Sequence, residues 1–379
     1  MTAVYASVDD LRRAARDYLP RMVFDFVDGG AEREITLRAN LADFEPLRFS
    51  PRVLTDVSAV DLGTTLLGEP IALPLAIAPM GLCGLVRPEG ELALARAAKA
   101  AGIPMVLSTA ASHALESVMD AAPGNLWFQL YIFRDREFAR SLVQRARAAG
   151  YRALVVTVDL TRGGKREKDI HNGFTVPPRF TRRTAMDLLR HPRWLARMAP
   201  HRKQTLGNLV DWGGRDKSVV ALSTFMNTQI DPGISWADLE WLRGEWDLPL
   251  VVKGILHPDD ARQALALGAD AIIVSNHGGR QLDGAPSSIS TLPRIADAVG
   301  NATEIILDSG VRRGADMLKA LALGARACMI GKAALYGLGA GGEAGVARVL
   351  TLLRQEFDVA MALSGNQRAA AVRPDTLLR

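Results

Sequence analysis

Cysteine is nearly absent. Only Cys83 and Cys328 occur among the 379 residues, and each lies in or beside an apolar stretch. Two such residues make neither a disulfide framework nor a metal-ligand spacing, so a reducing compartment and no metal site are expected. No apolar run approaches the ~20 residues that a spanning helix needs. The N-terminus lacks a cationic start followed by an apolar stretch, so no signal peptide is expected and a cytoplasmic location is the default. A hydrophobic share of 48% and a charged share of 23% are ordinary for a globular enzyme.

Excess positive charge is also missing from most of the chain. The net charge is +5, yet residues 173–217 hold ten Lys/Arg against three Asp. The cations are Arg179, Arg182, Arg183, Arg190, Arg193, Arg197, Arg202, Lys203, Arg215 and Lys217. That segment is net +7, which leaves −2 for everything else. The body of the protein is therefore not basic, and no nucleic-acid partner is expected.

What is present is a regular alternation. Val8 to Tyr18 and Pro20 to Val27 have helix-like apolar spacing, and Gly29-Gly30 stops the second run. From residue 71, eight short apolar runs alternate with eight amphipathic ones. The runs Leu73–Ala78, Met105–Leu107, Trp127–Tyr131, Leu154–Asp159, Leu250–Lys253, Ala271–Ser275, Glu304–Asp308 and Ala327–Ile330 read as strands covered on both faces. Eight βα units predict an α/β fold, a (β/α)8 TIM barrel, in one domain spanning 1–379. Residues 1–70 form an N-terminal helical segment ahead of it, and Gly345–Leu363 a closing helix. Residues 160–234, after strand four, read as one long irregular insert that contains the basic segment. Within it Pro192 starts a short helix.

A barrel of this kind works at the C-terminal ends of its strands. Those ends read, in order, Pro79-Met80-Gly81, Ser108, Gln129 with Tyr131, Thr157 with Asp159, Lys253, Ser275 with His277 and Arg280, Asp308 with Gly310 and Arg312, and Gly331-Lys332. Strand six thus delivers a base and a fixed cation, with Gly278-Gly279 between them letting a ligand approach the backbone. Asp159 is placed to orient the imidazole of His277, and Arg280 suits a carboxylate in a bidentate fork. Lys253 on a central strand needs an electron-rich neighbour to offset its desolvation. Glycines beside Arg312 and Lys332, after strands seven and eight, match the phosphate site common in such barrels.

These residues together resemble a known family. SNHGGRQLDG (275–284), LPLAIAPMG (73–81), WFQLY (127–131), TVD (157–159), VVKGI (251–255) and LDSGVRRG (307–314) are similar to segments of the FMN-dependent L-2-hydroxy acid oxidases and dehydrogenases. The likeness runs from about residue 5 to the closing helix and is nearest to the membrane-associated mandelate and lactate dehydrogenases. It implies oxidation of an (S)-2-hydroxy acid to the 2-keto acid, with hydride equivalents passed to N5 of FMN. His277 would be the base, held by Asp159. Arg280, Arg166 and Tyr131 would bind the substrate. Lys253 would stabilise negative charge on the reduced flavin. Pro79, Met80, Gly81, Ser108, Gln129 and Thr157 would line its ring. Ser275 and Asp308 would lie along the ribityl chain, and Gly310, Arg312, Gly331 and Lys332 would cradle the phosphate. A homotetramer is implied as well.

Three positions depart from the family pattern. Phe26 stands where a tyrosine usually contacts the substrate carboxylate, which favours a bulky or aromatic acid such as mandelate while leaving lactate open. Lys332 replaces the usual arginine. Gly81 stands where many oxidases have alanine, and the resemblance associates glycine there with dehydrogenases. The electron acceptor stays open between a membrane quinone and oxygen, the latter making a soluble, peroxide-forming oxidase. Residues 173–217 suit either an interfacial anchor on the inner face of the cell membrane or a solvated lid or oligomer contact.

Overall fold

The computed structural model describes residues 4–175, 178–179, 181–201, 205–212 and 216–378. A small hairpin comes first, β1 (Thr64–Leu66) and β2 (Glu69–Ile71). Eight further strands follow: β3 (Leu75–Ile77), β4 (Met105–Ser108), β5 (Leu126–Leu130), β6 (Ala153–Thr157), β7 (Leu250–Ile255), β8 (Ala271–Val274), β9 (Glu304–Asp308) and β10 (Ala327–Ile330). They are parallel and close into a barrel, β10 returning to pair with β3. The expected eight-fold alternation is the observed architecture.

The continuous apolar strands have a direct cause. Side chains alternate between the two faces of a strand. Val106, Trp127, Val155, Val251 and Ile273 pack inside the barrel. Their neighbours Leu107, Phe128, Leu154, Val252 and Ile272 pack outward into the shell of helices. Trp127 fills the interior beside the small Ala76, Ala153, Ala271 and Ala327, so one large ring is balanced by several short side chains. The hairpin was not legible as strands. Its arms are three residues each, and its two-residue turn, Leu67-Gly68, has φ of +52° and +79°, as a type I′ turn requires. Leu66 and Ile71 join the interior cluster and cover one mouth of the barrel.

Three helices precede the barrel: α1 (Val8–Tyr18), α2 (Arg21–Asp28) and α3 (Ile35–Ala42), the last not expected from the sequence. A capping box between Ser7 and Asp10 starts α1. α1 lies so close to helix Lys332–Gly341 that a Cβ on Gly339 would meet the Ala15 Cβ at 3.0 Å. α3 is docked by reciprocal amide bonds between Asn40 and Asn276, 2.8 and 2.7 Å. The closing helix runs Glu343–Leu363.

The insert 160–234 is not irregular, which corrects the sequence expectation. Helices Glu167–His171, Arg182–Leu189, Pro192–Met198 and Val219–Gln229 occupy much of it. Arg202, Lys203 and Arg215 of the basic segment lie outside the described residues. The last of these helices is clamped to the barrel by rings. Phe138, fully buried, sits 4.9 Å from Phe133, 4.9 Å from Trp212 and 5.9 Å from Phe225, centroid to centroid. Replacing Phe138 with alanine is expected to lower unfolding free energy by about 3–5 kcal/mol, measured by urea denaturation of the purified protein.

Candidate active site

The C-terminal strand ends surround one cavity of about 710 Å³, within the range of small-molecule sites. Phe26, Pro79, Met80, Gly81, Ser108, Tyr131, Thr157, Arg166, Lys253, His277 and Arg280 line it. So do Asp308, Gly310, Arg312, Gly331 and Lys332. Asp159, Gln129 and Ser275 stand behind this lining and hold members of it. All the residues singled out from the sequence therefore converge on a single place.

At its floor is a buried polar triangle. Lys253 Nζ donates to Ser275 Oγ at 2.9 Å and lies 3.0 Å from Asp308 Oδ2. Ser275 Oγ donates to Asp308 Oδ2 at 2.6 Å. Burial alone would lower the Lys253 ammonium, but the charges of Asp308 and Asp159 outweigh it and hold it above the ordinary lysine value. Lys253 is thus a permanent cation at a nearly solvent-free floor.

Beside it, His277 Nδ1 faces Asp159 Oδ1 at 2.9 Å. Burial alone would raise the Asp159 carboxyl, and the charge and hydrogen bond of His277 overcome that to hold it below its usual range. Asp159 fits only because residue 254 is glycine. A Cβ there would lie 2.7 Å from the Asp159 Cβ, and φ is +110°. The His277 backbone is itself left-handed, with φ +59°, an uncommon state for a non-glycine residue. Its N–H is held by Ser275 Oγ at 3.1 Å, and that of Gly278 by Ser309 Oγ at 3.0 Å. Gly278 and Gly279 continue the left-handed run at +67° and +71°.

The cations have unequal partners. Arg280 Nη1 donates to the backbone oxygens of Phe26 and Gly29, at 2.6 and 3.1 Å. Its guanidinium lies 4.9 Å from the Phe26 ring. Burial and the neighbouring Arg166 lower its pKa, and a guanidinium remains charged at neutral pH. Arg166 pairs with Asp169 at 3.1 Å and lies 6.0 Å from the same ring. Burial, then the charge of Asp159, pushes the Tyr131 phenol up, so it stays a hydroxyl donor. Lys332 Nζ donates to Asp28 O and Gly29 O at 2.8 and 2.7 Å. Burial and the charges of Arg280 and Arg312 press its pKa well down.

Three buried polar atoms in this region have no protein partner among the described residues, Asp159 Oδ2 being one of them. Gln129 Oε1 accepts from Ser108 Oγ and Thr109 N, which leaves Gln129 Nε2 unpaired, and Thr157 Oγ1 is unpaired too. Buried polar groups are rarely left so. At Gly331 a Cβ would make ordinary contacts with Met80 Sδ at 3.6 Å and Ala78 Cβ at 3.8 Å, without a clash.

Several lining residues escaped the sequence reading. Arg134 and Arg162 lie at the cavity, each three residues past a strand-end residue already singled out, and a longer window would have found them. Ser223, Met226, Asn227 and Ile230 also line it. They come from the end of the insert, and no local pattern assigns that stretch to the barrel mouth.

Comparison with known proteins agrees with this geometry. The model of the family described as FMN-dependent dehydrogenase matches residues 15–379. The L-lactate dehydrogenase of Chromohalobacter salexigens is 44% identical over 376 residues, 99% of this chain and 96% of that one. That of Xanthomonas campestris pv. campestris is 44% identical over 380 residues, 99% and 97% of the two chains. Among solved structures, the monotopic membrane protein (S)-mandelate dehydrogenase is 42% identical with a TM-score of 0.96, covering 99% of this chain and 100% of its own. A mandelate oxidase variant with (S)-mandelic acid is 39% identical with a TM-score of 0.84 and 98% coverage of both. On this evidence the chain is a member of the FMN-dependent dehydrogenase family.

Proposed function

We propose that this enzyme oxidises an (S)-2-hydroxy acid to the 2-keto acid. The observation that carries the reading is the His277–Asp159 pair at 2.9 Å in one cavity with the guanidinium groups of Arg280 and Arg166.

The residues fit FMN. Gln129 Nε2 and Thr157 Oγ1, buried without partners, suit the polar edge of a flavin ring, which Pro79, Met80, Gly81 and Ser108 would line. The buried ammonium of Lys253 would face that ring, with Ser275 and Asp308 toward the ribityl chain. Gly310, Arg312, Gly331 and Lys332 would take the phosphate. FMN, when bound, supplies the acceptor for two electrons.

The chain's own groups do the rest. Asp159 accepts from Nδ1 of His277, which leaves Nε2 as the basic nitrogen. That nitrogen takes a proton from the substrate, and the same arrangement serves removal of the hydroxyl or the Cα proton. The resulting imidazolium is stabilised by the Asp159 carboxylate. Arg280 and Arg166 hold the substrate carboxylate, and Tyr131 donates a hydrogen bond to it or to the hydroxyl. Phe26 adds no donor. Its ring lies 4.7 Å from that of Phe174, and with Leu206, Met226 and Ile230 in the same lining it makes an apolar wall suited to a mandelate-like side chain. The mandelate named for the structural neighbours supports this choice, and the lactate named for the sequence relatives is the smaller alternative.

For the acceptor we favour a membrane quinone. No described helix is long and apolar enough to cross a membrane. Met186 and Leu189, however, project from the basic insert at 55% and 74% exposure amid exposed Arg182, Arg183, Arg190 and Arg193. An apolar tip ringed by cations suits peripheral attachment to an anionic surface. The monotopic neighbour supports that reading. Trp194 takes no part in the tip, because its Nε1 donates inward to Leu85 O at 3.1 Å.

Three outcomes are expected. His277→Ala should keep its yellow flavin yet slow anaerobic bleaching by substrate about 10²–10⁴-fold; unchanged bleaching would remove His277 from the chemistry. In a panel of acids, kcat/KM for (S)-mandelate should exceed that for lactate, and the reverse order would overturn the role given to Phe26. Wild-type protein should float with anionic vesicles, and Leu189→Asp should sink; a wild type that stays in the soluble fraction excludes the anchor.

A further inference from the structure

A second cavity, of about 450 Å³, lies apart from the catalytic one and shares no lining residue with it. It is bounded by the turn after Val86, the insert helix Pro192–Met198 with its extension to His201, and the turn at Gly342 that starts the closing helix. Its charged lining residues are Arg87, Arg96, Arg197, Glu89 and Glu343, with His201 beside them.

These charges divide into two groups. Arg96 takes both carboxylates, at 2.7 Å to Glu343 and 3.7 Å to Glu89. Arg87 and Arg197 are left without a carboxylate among the described residues. Arg87 is fixed. Its Nε donates to Leu338 O at 2.7 Å and its Nη2 to Gly339 O at 3.0 Å. Its guanidinium stacks 4.4 Å from the Tyr18 ring. Arg197 comes from the insert, is exposed, and stands near enough for its charge to weigh on Arg87. Two like charges from separate elements thus line one concave site, whose three arginines outnumber its two carboxylates, Glu89 and Glu343. The start of the 21-residue helix Glu343–Leu363 adds the positive end of its dipole.

We propose that this cavity binds a phosphate group, gripped between Arg87 and Arg197. A phosphate dianion offsets this excess of positive charge and matches the planar donor fork of a guanidinium. Arg87 supplies a preorganised half of the grip, and Arg197 closes it from the insert. Binding would therefore lock helix Pro192–Met198 onto the barrel. The group comes from one of two sources, an anionic phospholipid headgroup or free phosphate.

The test uses the FMN-loaded full chain, so that the flavin's own phosphate site is filled. Arg197→Gln is the variant, because Arg197 is exposed and touches no part of the catalytic machinery. Arg193→Gln on the same helix, outside the cavity, controls for loss of one surface charge. Titration calorimetry with inorganic phosphate at low ionic strength should show one saturable site in wild type and in Arg193→Gln. In Arg197→Gln the affinity should fall about 10-fold or more. Turnover with a soluble electron acceptor should be unchanged in both. In the second arm, vesicles of phosphatidylcholine are compared with vesicles that also contain phosphatidic acid. A loss of phosphatidic-acid-dependent binding in Arg197→Gln beyond that in Arg193→Gln identifies the headgroup. Equal vesicle binding with weakened phosphate binding identifies free phosphate. No saturable phosphate binding in wild type, or equal effects of the two variants in the calorimetry, overturns the site.

Discussion

Burying an ammonium without solvent costs several kcal/mol unless it is paired and hydrogen-bonded. Lys253 is only 3% exposed, and everything around it answers that requirement. Asp308 on β9 supplies the opposite charge, and Ser275 at the end of β8 bonds both. One cation therefore ties together the ends of three adjacent strands. The same serine oxygen accepts the His277 N–H, so the catalytic loop hangs from the group that neutralises the floor. A change that removed Asp308 would strip Lys253 of its nearest countercharge, leaving the charge of Asp159, and loosen the histidine together.

A second constraint operates at the C-terminal end of α2. The last carbonyls of a helix lack intrahelical donors and carry negative partial charge. Arg280 and Lys332 both donate there, to oxygens of Phe26, Asp28 and Gly29. The Asp28 side chain meanwhile takes Arg12 and Tyr336. Two nitrogen donors are thereby held at the cavity with backbone dipoles as partners. A fixed carboxylate in their place would compete with an anionic ligand. This explains how a site can present several positive groups to an acid and remain folded before the acid arrives.

Much of the fold was legible in the strands, because burial on both faces leaves an unbroken apolar run whose count reveals the barrel. The hairpin β1–β2 was not, since three-residue arms carry no periodicity. α3 was missed because its buried polar residues, Thr36 and Asn40, satisfy distant loops rather than showing an apolar face. Thr36 bonds the backbone of Ala285, and Asn40 bonds Asn276. The insert looked irregular because its charged and apolar residues answer to outside partners. Arg21 N–H donates to Asp187 at 2.7 Å, and the ring cluster of Phe138 holds helix Val219–Gln229.

The sequence by itself determined which strand-end residues reach the cavity. Strand ends in a (β/α)8 barrel have one destination, so order along the chain is enough to gather His277, Arg280, Lys253 and Asp308. It determined the left-handed loop as well, through the two glycines that follow His277. Only the tertiary structure decided the pairings. That Asp159 meets His277 depends on Gly254 having no side chain. That Lys332 spends its donors on α2 depends on how the N-terminal helices dock. That Met226 and Ile230 wall the cavity depends on a ring cluster drawn from three separate segments. Such contacts arise from the close approach of elements distant in sequence, and no local spacing encodes that approach.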